Sequence, residues 1–193
     1  MDDLTDRIEA DIAEYRAAAE HVAAIAPAIA AAAQVMIASA RSGGTLLTCG
    51  NGGSAADAQH LAAEYVGRFL TEREPLPAIA LHTNTSALTA IANDYGFDEV
   101  FARQVRAFGR PGDVLLGIST SGASPNVLRA MQVARELGVR TIALCGQAGG
   151  PISEAADVAL NMPAGPTPRI QELHILVGHI LCGLVEEHAC AKR

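Results

Sequence analysis

Tryptophan is absent from the 193 residues, and aromatic residues make up only 4% of them. Without large rings the core has to be built from close-packed helices and aliphatic strands; half the chain is hydrophobic, and alanine carries much of that share. Basic charge is short as well. Lys and Arg number 14 against 21 Asp and Glu, a formal net charge of -7. That balance argues against nonspecific nucleic-acid binding and against an anionic membrane surface, so any phosphate has to be held by a local device. The opening Met1-Asp-Asp-Leu-Thr-Asp6 lacks the basic and apolar regions of a signal peptide. The alanine-rich run from Val22 to Ala33 is too short to span a bilayer and is interrupted by Pro27. A soluble cytoplasmic protein with no membrane partner is the expectation. Cys49, Cys145, Cys182 and Cys190 show no C-x-x-C pairing and read as reduced, mostly buried thiols. No linker, low-complexity segment or repeat divides the chain, so residues 1–193 read as one domain: helices over 1–42, then a core with its C-terminal helix over 43–193.

What is present begins with Cys49-Gly-Asn-Gly-Gly-Ser-Ala-Ala-Asp-Ala-Gln-His-Leu-Ala-Ala-Glu64. A short apolar strand precedes it and a helix from Ser54 follows, so Gly50 to Ser54 is a strand-to-helix turn. Glycines there let backbone N–H groups approach a ligand, and the helix N-terminus adds partial positive charge, which suits a phosphate. Gly50, Gly52 and Ala55 also satisfy a loose dinucleotide fingerprint, but the next strand ends at Leu81-His82-Thr83 without the acidic residue that fingerprint needs. No Lys-Ser or Lys-Thr follows the glycines, which excludes a Walker loop. Ser54 with Asp57 fits a capping box that needs no ligand.

Strands are expected near 45–49, 77–81, 113–118, 140–145 and 157–161. Helices are expected near 4–24 and 28–42, separated around Pro27, then at 54–70, 86–92 with 97–108, 125–137, 152–156 and 168–189. Alternation of helices with continuous apolar strands such as Asp113-Val-Leu-Leu-Gly-Ile118 indicates an α/β doubly wound parallel sheet. Ligands bind beyond the carboxyl ends of such strands. Ser119-Thr-Ser-Gly-Ala-Ser124 lies there too, a hydroxyl-rich cradle at a helix N-terminus, although serine-rich turns also arise for local reasons.

His60 and Glu64, four apart on a helix, project from the same face and could ligate one metal ion or simply form a surface ion pair. Into the apolar C-terminal helix intrude Gln171, His174 and His179, polar groups that need partners. For His174 the reading is an interface histidine with its hydrogen bonds made.

Five blocks together resemble the sugar isomerase (SIS) domain family and, within it, the phosphoheptose isomerases: Cys49 to Ser54; Asp57-Ala-Gln-His60 with Glu64; Ala92-Asn-Asp-Tyr-Gly96; Gly112 to Gly122; and Arg169-Ile-Gln-Glu172 with His179. The resemblance spans nearly the whole chain. It implies a flavodoxin-like five-stranded parallel sheet with an N-terminal helical extension. It also implies isomerisation of sedoheptulose 7-phosphate to D-glycero-D-manno-heptose 7-phosphate, for heptose nucleotide-sugar biosynthesis. Substrate contacts carried over are Asn51, Gly52, Gly53, Asn93 and Asp94 at the sugar, with Ser54, Ser119, Thr120, Ser121 and Ser124 around the phosphate, and with Glu64 and Gln171 also at the substrate. One Zn2+ per subunit would be held by His60, Glu64, Gln171 and His179. Arg68 either reaches substrate or is a solvated arginine, and Asn93 and Asp94 equally read as a turn before Gly96. Ala123 stands where many relatives have Asn, and Pro168 where some have an acidic residue, which removes a possible sugar contact.

Aldose-ketose isomerisation needs a base, an acid and stabilisation of oxyanion charge. Glu64 as base and His179 as its acid-base partner supply the first two. The alternatives are a non-catalytic phosphosugar-binding or replication-initiation partner protein of the same fold, and an isomerase for another phosphosugar. The apolar terminal helices offer more face than one small sheet can bury, so a homotetramer with active sites near its interfaces is expected.

Overall fold

The computed structural model describes residues 4–163 and 165–190. Helix α1 (Leu4–His21) runs through one turn of 3-10 helix (Val22–Ile25) into α2 (Ala26–Arg41). The break thus falls one turn ahead of Pro27, which sits in the first turn of α2, where a missing N–H costs nothing. Then follow β1 (Leu46–Gly50), α3 (Gly53–Val66), β2 (Ala78–Ala80), α4 (Thr85–Tyr95), a 3-10 turn (Phe97–Glu99), α5 (Ala102–Phe108), β3 (Val114–Ser119), α6 (Pro125–Glu136), β4 (Arg140–Cys145), α7 (Gly150–Ala155), β5 (Val158–Asn161) and α8 (Thr167–Ala189). The five strands are all parallel in the order β2-β1-β3-β4-β5, the flavodoxin-like winding.

Alternate strand residues feed two cores. Leu46, Val114, Leu116, Ile118, Ile142 and Leu144 pack with residues of α2, α3 and α8 such as Met36, Leu61 and Leu173. Leu47, Leu115, Ala143 and Cys145 pack with residues of α5, α6 and α7 such as Val105, Met131 and Ile152. Each fully buried Leu or Ile contributes about 1.5–3 kcal/mol. Burial pushes the Cys49, Cys145 and Cys182 thiols up to about 12, so they stay protonated, as their apolar positions suggested.

The continuous helical run Leu4–Arg41 is longer than the short apolar stretch read from sequence: its most apolar 18-residue window has a mean hydropathy of 1.9, enough by length and composition to cross a membrane. In this fold Ile29, Ala32, Ala33 and Met36 of that run belong to the core shared with α8.

Helix α3 ends at Val66, four residues earlier than expected, because Gly67 closes it and the next loop is bound elsewhere. Glu186 of α8, buried, accepts from the N–H groups of Phe69, Leu70 and Thr71 at 3.0, 2.8 and 2.8 Å and pairs with buried Arg73 at 3.1 Å. Burial alone would raise this carboxyl; the backbone donors of Leu70, Thr71 and Phe69 outweigh it and hold it at about 2. A depressed folded-state value gives stability that is complete above the unfolded carboxyl value of 4.5 and lost as pH falls toward about 2. Urea unfolding should therefore weaken steeply over that window in the parent protein and much less in Glu186→Gln, which should also lose about 3 kcal/mol at neutral pH. Parallel acid limbs for the two proteins would refute this role.

Candidate active site

Strand order reverses between β1 and β3, which pair directly, so the crevice of the fold opens beyond their carboxyl ends. The glycine and serine loops both leave there. Gly52, the N-cap of α3, has φ 56°, a left-handed conformation that only glycine adopts without cost, and no side chain caps the helix. The Ser54–Asp57 capping box does not form, because this turn starts α3 before Ser54, which is buried in the first helical turn.

On the serine loop, Ser119 Oγ lies 2.9 Å from Ser124 Oγ and 3.4 Å from Ser121 Oγ. The loop after β4 and the first turn of α7 brace it: Gly146 N–H donates to the Thr120 carbonyl at 3.2 Å and Ile152 N–H to the Gly122 carbonyl at 3.0 Å. Converging hydroxyls at the head of α6 make an uncharged anion cradle.

Asn126, which sequence reading passed over, joins the two loops. Its amide and that of Asn51 exchange two hydrogen bonds, each 2.9 Å, and Val127 N–H donates to Asn126 Oδ1 at 2.9 Å. The Asn51 side chain expected at a sugar is thus engaged by Asn126. A buried Asn just inside a helix start is the only signal in the sequence, and nothing there names its partner.

His60 and Glu64 share a face of α3 as their spacing implied, with His60 Nε2 3.2 Å from Glu64 Oε1. His179 joins them from α8, its Nε2 2.9 Å from that of His60. Close approach of the two helices makes this possible: a Cβ on Gly178 would stand 2.7 Å from the Leu61 side chain, so a larger residue there would have to displace Leu61. One ligand atom from each of His60, Glu64 and His179 lies within 4.8 Å of the others, all from one chain. In a tetrahedral zinc site, donor atoms stand roughly 3.3 Å apart, so contacts of 2.9 and 3.2 Å between two imidazoles and a carboxylate fit a divalent ion. Beside them, burial raises the Asp57 carboxyl, opposed by His60, and one of its oxygens is buried without a partner.

Gln171 enters the crevice from α8 at a different point. Its amide Nε2 would stand 2.5 Å from a Cβ on Gly53, so that glycine makes room for it.

Asn93 and Asp94 are exposed in the last turn of α4, and Asn93 donates to Asp94 at 2.8 Å rather than to either loop. They are helical, and Gly96, at φ 91°, ends the helix after them. Arg68 is exposed, 3.8 Å from Glu72, a solvated arginine in this chain. His174 is fully buried: burial pushes it down to about 4, opposed by the nearby Cys145 backbone, although neither ring nitrogen meets a partner in full hydrogen-bonding geometry among the described residues. It is a neutral imidazole inside the core.

The SIS domain family matches residues 12–146. A phosphoheptose isomerase of Rhodospirillum rubrum is 61% identical over 86% of this chain and 88% of its own length. One from Geotalea daltonii is 51% identical over 98% of this chain and all of its own. The solved phosphoheptose isomerase of Neisseria gonorrhoeae superposes with a TM-score of 0.90 at 48% identity, covering 96% of this chain and 100% of that one. With its fold and nearly its whole length matched by these proteins, the chain belongs to the phosphoheptose isomerase family of SIS-domain enzymes.

Proposed function

We propose that this enzyme converts D-sedoheptulose 7-phosphate into D-glycero-D-manno-heptose 7-phosphate, for heptose nucleotide-sugar biosynthesis, with Glu64 and His179 as its acid-base pair. The observation that carries the reading is the convergence of Glu64 and His179, through His60, where α3 meets α8, in a chain that also builds the hydroxyl cradle after β3.

The ketose has its carbonyl at C2. Glu64 takes a proton from C1 while His179 delivers one to the C2 oxygen, giving a 1,2-enediol. Return of the proton to C2 and loss of one from the C1 hydroxyl give the aldose. Atoms and electrons balance within the sugar, so no redox partner enters. Ser54, Ser119, Thr120, Ser121 and Ser124 hold the phosphate, and the Gly52 and Gly53 backbone with Gln171 orients the sugar. Asn93 and Asp94 are proposed sugar contacts from the end of α4.

His60, Glu64 and His179, with Gln171 alongside, would hold a Zn2+ ion, which when bound supplies Lewis acidity at the carbonyl oxygen. In the full assembly the protein is proposed to be a cytoplasmic homotetramer folded as one domain. Support for association comes from α1, whose Leu4, Ile8 and Ile12 are exposed, and from an apolar groove lined by Val22, Ile29, Leu176, Ile180 and Leu184.

The test is incubation of purified protein with sedoheptulose 7-phosphate in D2O, followed by NMR. The expected product is the heptose aldose, carrying deuterium at C2 to the extent that the transferred proton exchanges. Absence of aldose would leave a binding protein; full activity after exhaustive chelation would remove the metal from the scheme, and a monomer by light scattering would remove the tetramer.

A further inference from the structure

His179 meets the His60–Glu64 group on one side and Phe69, outside that group, on another. His60 meets its Nε2 edge. Phe69, from the loop after α3, lies beside the ring in a tilted contact, with centroids 5.6 Å apart and planes inclined by 34°. The same phenyl edge rests on α8 one turn further on, 3.5 Å from where a Cβ on Gly183 would stand. Phe69 is half-buried against the core that α3 and α8 share, and its backbone is anchored as well.

What keeps it there is Glu186, seven residues beyond His179 and so about 10 Å further along the same face of α8. Its carboxylate gathers the N–H groups of Phe69, Leu70 and Thr71 and the Arg73 guanidinium. Arg73 continues inward, donating to the carbonyl oxygens of Glu64 at 2.7 Å and Tyr65 at 3.0 Å. One buried ion pair therefore fixes the end of α3, which carries Glu64, and the loop, which carries Phe69.

We infer that Phe69, held against α8 by Glu186 and Arg73, is a positioning residue for His179, its ring keeping the imidazole in the orientation that proton transfer needs. This rests on the acid-base reading of His179 above. An imidazole free to turn about its side-chain torsions spends most of its time out of line with the substrate oxygen. Misplacement by about 1 Å costs on the order of 100-fold. Leucine fills similar volume and offers no flat face; tyrosine offers the same face.

Kinetics of Phe69→Leu and Phe69→Tyr, with the His179 ring signal followed by NMR in histidine-labelled protein, test this. Phe69→Leu should lower kcat roughly 10- to 100-fold with KM held within about twofold, because substrate anchoring is untouched. Its thermal midpoint should be unchanged, and the His179 signal should lose its ring-current displacement. Phe69→Tyr should restore both. Wild-type kcat in Phe69→Leu, or a fall in kcat accompanied by a fall in thermal midpoint and not restored by tyrosine, would overturn the inference. His179→Asn separates the two levels: full activity there sinks the acid-base reading itself, whereas the NMR signal of the Phe69 variants still decides whether the ring orients the imidazole.

Discussion

Glu64→Gln should turn over sedoheptulose 7-phosphate about 100-fold to 10,000-fold more slowly than the parent protein, the usual cost of losing a positioned base. The amide keeps the volume of the carboxylate and can still meet His60, so the fold and phosphate binding should survive. Glu64 lies in the last turn of α3, where Arg73 ties down its carbonyl, and its side chain is within reach of both imidazoles. Measured kcat under saturating substrate, with binding of the phosphosugar followed separately by calorimetry, separates lost chemistry from lost affinity. Parent-level turnover by Glu64→Gln would remove it as the base.

Removal of the phosphate from the substrate should cost at least about 100-fold in kcat/KM, since anchoring at a remote group is what places the reacting carbons. The hydroxyl cradle of Ser119, Ser121 and Ser124 is held from behind by the Gly146 and Ile152 N–H groups and cannot collapse to follow a smaller ligand. Equal kcat/KM for sedoheptulose and its 7-phosphate would show that the cradle does something else.

Much of this was legible in the sequence. Parallel strands buried on both faces are continuous apolar runs, so β3 and β4 stand out, and the pairing of His60 with Glu64 follows from helical spacing. His179 was placed with them by family resemblance; the contact itself depends on Gly178 admitting Leu61, a packing fact with no local signature. Glu186 reads as one half of a Glu-Glu pair near a helix end, the kind of residue normally left in water. Its burial follows from three backbone donors 115 to 117 residues away, which only tertiary structure can supply. The early end of α3 belongs to the same miss, since the loop after Gly67 obeys Glu186 rather than its own helix propensity. Asn126 was hidden for a simpler reason: its partner Asn51 is 75 residues distant and looked like a ligand contact.

That reciprocal amide pair has a bearing on which sugars the enzyme accepts. Two hydrogen bonds of 2.9 Å set the spacing between the glycine loop at the head of α3 and the hydroxyl cradle at the head of α6. The pair acts as a ruler. A sugar phosphate that reaches from one loop to the other is held at two points, and neither loop can advance alone to meet a shorter one. Selectivity for chain length then needs no residue that recognises the middle of the sugar: it is measured between the ends.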